Sequence, residues 1–126
     1  MTQLIYLACP YSGTNYERHL RFLEANKTAG ILIEQGFHVF SPISHSHPIK
    51  EICGLDGDFT FWESYDKRMI SLCDLVVVLP IVGWIDSVGV QSEINFAHSI
   101  GKSVKFIDLK NYQIIEEKYD WSKFYK

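Results

Sequence analysis

Positive charge is scarce in this 126-residue chain: 12 Lys and Arg stand against 15 Asp and Glu, a net charge of -3. Without a basic field there is little to attract a nucleic-acid polymer or an anionic membrane surface, although local dipoles can still hold a small anion. Cysteine is scarce too. Cys9, Cys53 and Cys73 are an odd number with no CxxC pair and no zinc-like spacing, so reduced thiols, no metal and a cytoplasmic protein are expected. No basic-then-apolar leader opens the sequence, and no apolar run approaches the ~20 residues needed to span a bilayer. GxxxxGK[ST] and GxGxxG are both missing. That removes two phosphate-binding fingerprints, and no cofactor is expected.

What is present suits one compact unit. Hydrophobic residues make up 47% and aromatics 14% of the chain, an ordinary globular composition, and the length fits a single domain, 1–126, with its own core. Leu4 to Ala8 is an apolar run ended by Cys9-Pro10, which reads as a central strand covered on both faces. After the polar turn Tyr11 to Asn15, Thr14 and Glu17 form a capping box. Phe22, Ala25, Ala29 and Leu32 then recur at helical spacing until Gly36. Phe37 to Phe40 predicts a second strand. Ser41 to Asp58, with Pro42, Pro48 and two glycines, reads as a long irregular loop of the kind that lines a site. Trp62, Tyr65, Met69 and Leu72/Cys73 mark a second helix, Leu75 to Leu79 a third strand, Val90 to Ile100 a third helix closed by Gly101, and Ser103 to Ile107 a fourth strand. The tail from Asn111 to Lys126 carries Trp121, Phe124 and Tyr125, which suggest docking onto this subunit or a neighbour.

Strands alternating with helices predict an α/β fold: a three-layer, flavodoxin- or Rossmann-like parallel sheet of four or five strands, order about 2-1-3-4, with helices on both faces. In such sheets the ligand crevice opens at the carboxyl ends of the strands flanking the reversal of winding. Here those are the first and third strands. The rule brings Tyr11-Ser12-Gly13 beside Gly83 to Glu93, with the Ser41 to Asp58 segment as a roof.

Two acids break the helical pattern. At 100° per residue, Glu93 lies among Val90, Ile94, Phe96, Ala97 and Ile100, and Asp66 lies among Trp62, Tyr65, Met69, Ile70 and Cys73. A buried charge is costly unless it is paired or used. Glu93 could instead sit at the edge of its face, favoured by the helix dipole, and Asp66 could merely pin loop amides. At a crevice mouth a functional role is the stronger reading. Ser87 and Gly89, where the loop enters the third helix, face Ser12 and Gly13 and make an anion nest plausible; Ser87 is equally placed to be a simple N-cap. Tyr6 and Tyr11 flank the first turn beside Pro10 and are candidates to contact a flat ring. His45 and His47 alternate in Ser44-His45-Ser46-His47 but lack a third ligand at metal spacing, so contact with a ligand or a neighbouring subunit is the better expectation.

The stretches IYLACPYSG, WESYDKRMISLCD, LVVVLP and SVGVQSEINFAHSIGKSV together resemble the nucleoside 2-deoxyribosyltransferase-like superfamily, in particular its DUF1937 branch, over nearly all of Leu4 to Ile107. The resemblance implies that Glu93 is the nucleophile on the anomeric carbon and that Asp66 orients or protonates the departing base. It also implies a homo-oligomer, a dimer or larger, whose pocket a neighbour can complete. The transferases carry an aspartate where Ser87 stands, whereas deoxynucleoside 5′-monophosphate N-glycosidases carry a serine that holds the 5′-phosphate. A serine hydroxyl can donate to a phosphate dianion that a carboxylate would repel. The first loop departs from the hydrolases' glycine-rich, arginine-bearing turn, offering Ser12, Gly13 and, further on, Arg18. The expected activity is N-glycosidic cleavage of a nucleotide through a glycosyl-Glu93 intermediate, acting on a small molecule and not on a nucleic-acid polymer. Base exchange by a nucleoside 2-deoxyribosyltransferase and a non-catalytic nucleotide sensor are the alternatives. A flavodoxin-like carrier fits the strand order but not the two inward acids, and the PGGxGT signature of another glycosidase group is missing.

Overall fold

A computed structural model describes residues 2–55 and 59–116. Trp121, Phe124 and Tyr125 of the tail lie outside the described residues. The elements run β1 (Leu4–Ala8), α1 (Asn15–Glu34), β2 (His38–Phe40), α2 (Pro42–Cys53), α3 (Phe59–Leu72), β3 (Leu75–Val78), α4 (Val88–Ser99), β4 (Ser103–Ile107) and β5 (Ile114–Ile115). They form one sheet of order β2-β1-β3-β4-β5. The first three pairings are parallel, with Ile5 opposite both Val39 and Leu75, and Val76 opposite Val104. β5 closes the edge antiparallel to β4, with Phe106 opposite Ile115.

Successive strand side chains point to opposite faces, so β1 feeds two cores. Ile5 and Leu7 pack with Ala25, Ala29 and Leu32 of α1 and with Val77 of β3. Tyr6 and Ala8 face the other way, towards Ile70 and Cys73 at the end of α3 and Val90 and Ala97 of α4. Tyr6, Leu7 and Val77 are fully buried, and burying an aliphatic side chain of this size contributes about 1.5–3 kcal/mol. The alternation that builds the core therefore also sends the Tyr6 phenol to the face where the acidic helices lie.

The capping box is formed: Thr14 accepts from Glu17 N, and the Glu17 carboxylate accepts from Thr14 N. Gly36 at φ 101° and Gly101 at φ 76° follow the ends of α1 and α4. The expected irregular loop from Ser41 to Asp58 is instead largely the helix α2. Ser41 caps it through Ser44 N, Pro42 occupies its first turn where no amide donor is needed, and Gly54 ends it in the left-handed region. Pro48 sits inside this helix. Three exposed apolar residues also depart from the wheel: Tyr65 and Leu72 on α3, and Ile100 at the end of α4, lie towards solvent.

Candidate functional site

Glu93 stands in the second turn of α4, buried to 9% exposure among apolar neighbours. Its Oε2 accepts a hydrogen bond from the Tyr6 hydroxyl, delivered from beneath by β1. Asp66 reaches the same space from α3, and both acids line one cavity of about 530 Å³. Burial pushes the Glu93 carboxyl up to about 8; the Tyr6 hydrogen bond opposes this and the Asp66 charge adds to it. Burial also lifts Asp66 to about 6. Tyr6 is raised well above its ordinary value, first by burial and then by the charge of Glu93. A hydrogen bond donated by Tyr6 favours the ionised form of Glu93. The bond is there, but desolvation outweighs it, and the net effect on Glu93 is upward.

The cavity lies at the carboxyl ends of β1 and β3, as the reversal of winding requires. Ser87 and Gly89 line it at the entrance to α4, and Tyr11 and Ser12 line it opposite. Ser87 is the N-cap, its Oγ accepting from Val90 N at 3.1 Å. That bond uses a lone pair and leaves the hydroxyl proton available to a ligand. Arg21 ties the two loops together, with Nη1 donating to Ser12 O and Nη2 to Val82 O at 3.3 Å. Gly83 adopts φ 100°, and a Cβ there would lie 2.8 Å from Arg21 Nη2.

Other expected site residues are placed differently. Tyr6 lies below the cavity and acts on it through Glu93. Pro10 is buried beside the cavity without being part of its lining, and Gly13 fits against the capping carboxylate of Glu17, where a Cβ would come within 2.8 Å of Oε1. His45 is exposed and bonded to the Tyr65 hydroxyl at 2.8 Å, away from the lining. His47 is buried behind Tyr11, whose hydroxyl lies 2.6 Å from Nδ1.

Several lining residues escaped the sequence reading. Ser46, Lys50 and Glu51 come from α2, which read as a loop. Asn15 opens α1, and Arg18, already noted beyond the first loop, joins the lining, its Nη1 donating to Gly13 O at 2.9 Å and so bracing the first turn. Trp62 lies one helical turn before Asp66, and its place on the same face was a usable signal. Cys9 lines the floor, its thiol pushed up by burial and by the charge of Glu93. Among the described residues, no group of three or more His, Cys, Asp or Glu is placed to hold a metal ion. The lining thus carries Arg18 and Lys50 on one wall, partly offset by the neighbouring Glu51, and Asp66 and Glu93 on the floor. That polarity suits a ligand with an anionic end and a neutral, electrophilic centre.

Residues 3–108 match the family model described as a domain of unknown function, DUF1937. No curated protein matches the chain. Among solved structures, a 2-deoxyribosyltransferase from the psychrotolerant bacterium Bacillus psychrosaccharolyticus superposes with a TM-score of 0.61 at 22% identity, covering 95% of this chain and 94% of that one. The two share the fold.

Proposed function

The chain belongs to the DUF1937 family, and from that premise we propose that it is an enzyme cleaving the N-glycosidic bond of a nucleotide, a (deoxy)nucleoside 5′-monophosphate, through a covalent intermediate on Glu93. The observation that carries this reading is the placement of Glu93 on the Tyr6 hydroxyl, facing the same cavity as Asp66. A glycosidic bond between a nucleophilic and an acidic carboxyl can be broken in two displacements. A Glu93 oxygen attacks C1′, and the electron pair of the C1′–N bond leaves with the base, which takes its proton from the Asp66 carboxyl. Water then attacks C1′, loses its proton to Asp66, and returns the ester electron pair to Glu93. The products are the free base and the sugar phosphate, with anomeric configuration retained.

The reactive form has Glu93 ionised and Asp66 protonated, one proton for two carboxyls. Glu93 ionises near 8 and Asp66 near 6, so the singly protonated pair is most populated between those values whichever group holds the proton. The 5′-phosphate is assigned to the Ser87 hydroxyl and the first amides of α4, with Arg18 and Lys50 on the cavity wall supplying charge. Base exchange is the second reading, favoured by the fold shared with a 2-deoxyribosyltransferase. It uses the same residues, a second base replacing water.

The test is incubation with a panel of ribo- and deoxyribonucleosides and their 5′-monophosphates, read by chromatography for liberated base, with and without an added acceptor base. The parent protein should release base from a monophosphate, and E93Q should lose at least about 10³-fold in kcat. An E93Q protein that works near the parent rate overturns the assignment of the nucleophile.

A further inference from the structure

His47 is a polar side chain at 5% exposure that the proposed chemistry leaves without a task. It is stacked on Phe22 with centroids 4.5 Å apart and stands outside the cavity lining, whereas Tyr11 is part of that lining. The link between them is the 2.6 Å contact from Tyr11 Oη to His47 Nδ1. On the remaining side, Glu51 Oε1 lies 3.8 Å from His47 Nε2. Lys50 Nζ sits 4.7 Å from the centroid of the Tyr11 ring and covers one of its faces.

The direction of the 2.6 Å bond decides what Tyr11 shows the cavity. Burial holds His47 below its ordinary range; His19, Lys50 and Arg18 push the same way and Glu51 opposes. The ring is therefore neutral at pH 7, with one nitrogen a donor and the other an acceptor. The Glu51 carboxylate beside Nε2 favours the proton there. Nδ1 is then an acceptor, and the Tyr11 hydroxyl must spend its only proton on it.

Resting on the reading of this cavity as the substrate site, we propose that His47 is a positioning residue acting through Tyr11. It holds the phenol so that its oxygen, not its proton, faces the cavity and accepts a hydrogen bond from a hydroxyl or amino group of the substrate. Tyr11 lies three residues beyond β1, and the Lys50 ammonium that covers its ring is one of the cations assigned to the phosphate, so the group it meets lies near the anionic end of the ligand, where a sugar hydroxyl stands. Substrates lacking that donor would leave the phenolic oxygen desolvated and unpaired, which is the origin of the discrimination.

The first arm of the test needs no turnover, so it stands even where the glycosidase reading fails. Long-range ¹H–¹⁵N NMR of the imidazoles at pH 7 should find His47 neutral with its proton on Nε2, and Y11F should perturb that signal. A proton on Nδ1 overturns the proposal. The second arm is a double-mutant cycle on kcat/KM. H47F, which keeps a ring on Phe22, and Y11F should each lose about tenfold, mainly in KM. The pair Y11F/H47F should be no worse than Y11F alone, and H47N, whose amide oxygen reaches the place of Nδ1, should recover most of the loss. Losses that multiply in the pair overturn the proposal. Should H47F fail to fold, Y11F, H47N and the NMR arm decide the question.

Discussion

Glu93 occupies a position where an apolar side chain would be more stable. Its ordinary carboxyl value of 4.5 rises to about 8 in the folded protein, chiefly through burial. The native state thus keeps a proton that the unfolded chain has released. Protein with a native pKa above the unfolded one is most stable below the lower value and loses that stability as pH rises through the window, here from about 4.5 to about 8. Taking about 1.36 kcal/mol per pK unit, ionising Glu93 in place costs on the order of 5 kcal/mol. E93Q removes that cost, so its melting temperature should match the parent's near pH 4.5 and exceed it by roughly 15–20 °C at pH 9. A variant melting below the parent at pH 9 contradicts this account of the site. Both acids were legible in the sequence for the same reason they are costly: a charge at helical apolar spacing is visible without coordinates. The protonation state was not legible, because it depends on how completely α3, α4 and β1 close around the carboxyl.

Elements place these residues, and the two loops of the crevice are held by an arginine that belongs to neither. Arg21 on α1 donates to Ser12 O after β1 and to Val82 O after β3. Gly83 leaves room for it: its φ of 100° strains any L side chain, and a Cβ would sit 2.8 Å from the guanidinium. G83A should cost about 1–2 kcal/mol in urea unfolding from backbone strain alone, plus the loss of the Arg21 tie. In an R21Q background the second part is already gone, so G83A/R21Q should be less destabilised than the two single variants added together. Strict additivity would separate Gly83 from Arg21. The same scale shows where the sequence misleads. α1 declared itself through Thr14, Glu17 and an apolar stripe, and the four parallel strands through short apolar runs. α2 did not, because two prolines and alternating Ser and His look like loop chemistry. Pro42 costs nothing in a first helical turn, and the helix is held by Ile43 packing into the core shared with α1, a contact no local pattern reveals. Missing α2 meant missing the wall that carries Lys50 and Glu51.

Across the whole molecule, the reversal of winding between β1 and β3 collects chemistry from distant parts of the chain into one cavity. That consequence of topology was readable from strand–helix alternation alone, whereas the antiparallel edge strand β5, only two residues long, has no comparable signature. The chain is net acidic at -3, yet the cavity sets Arg18 and Lys50 against Asp66 and Glu93. A monophosphate seated there touches α1, α2, α3 and the entrance to α4 at once, and none of those contacts exists in the unfolded chain. Binding must then stabilise the fold as a unit, by about 2.7 kcal/mol at a ligand concentration one hundred times Kd. With E93Q, which leaves the substrate intact, a saturating deoxynucleoside monophosphate should raise the melting temperature by roughly 5–10 °C. The matching nucleoside at the same concentration should raise it much less, since it lacks the anion that the Ser87 end of the cavity is proposed to hold. Equal shifts for the two would remove the phosphate from the recognition scheme while leaving the carboxyl pair in place.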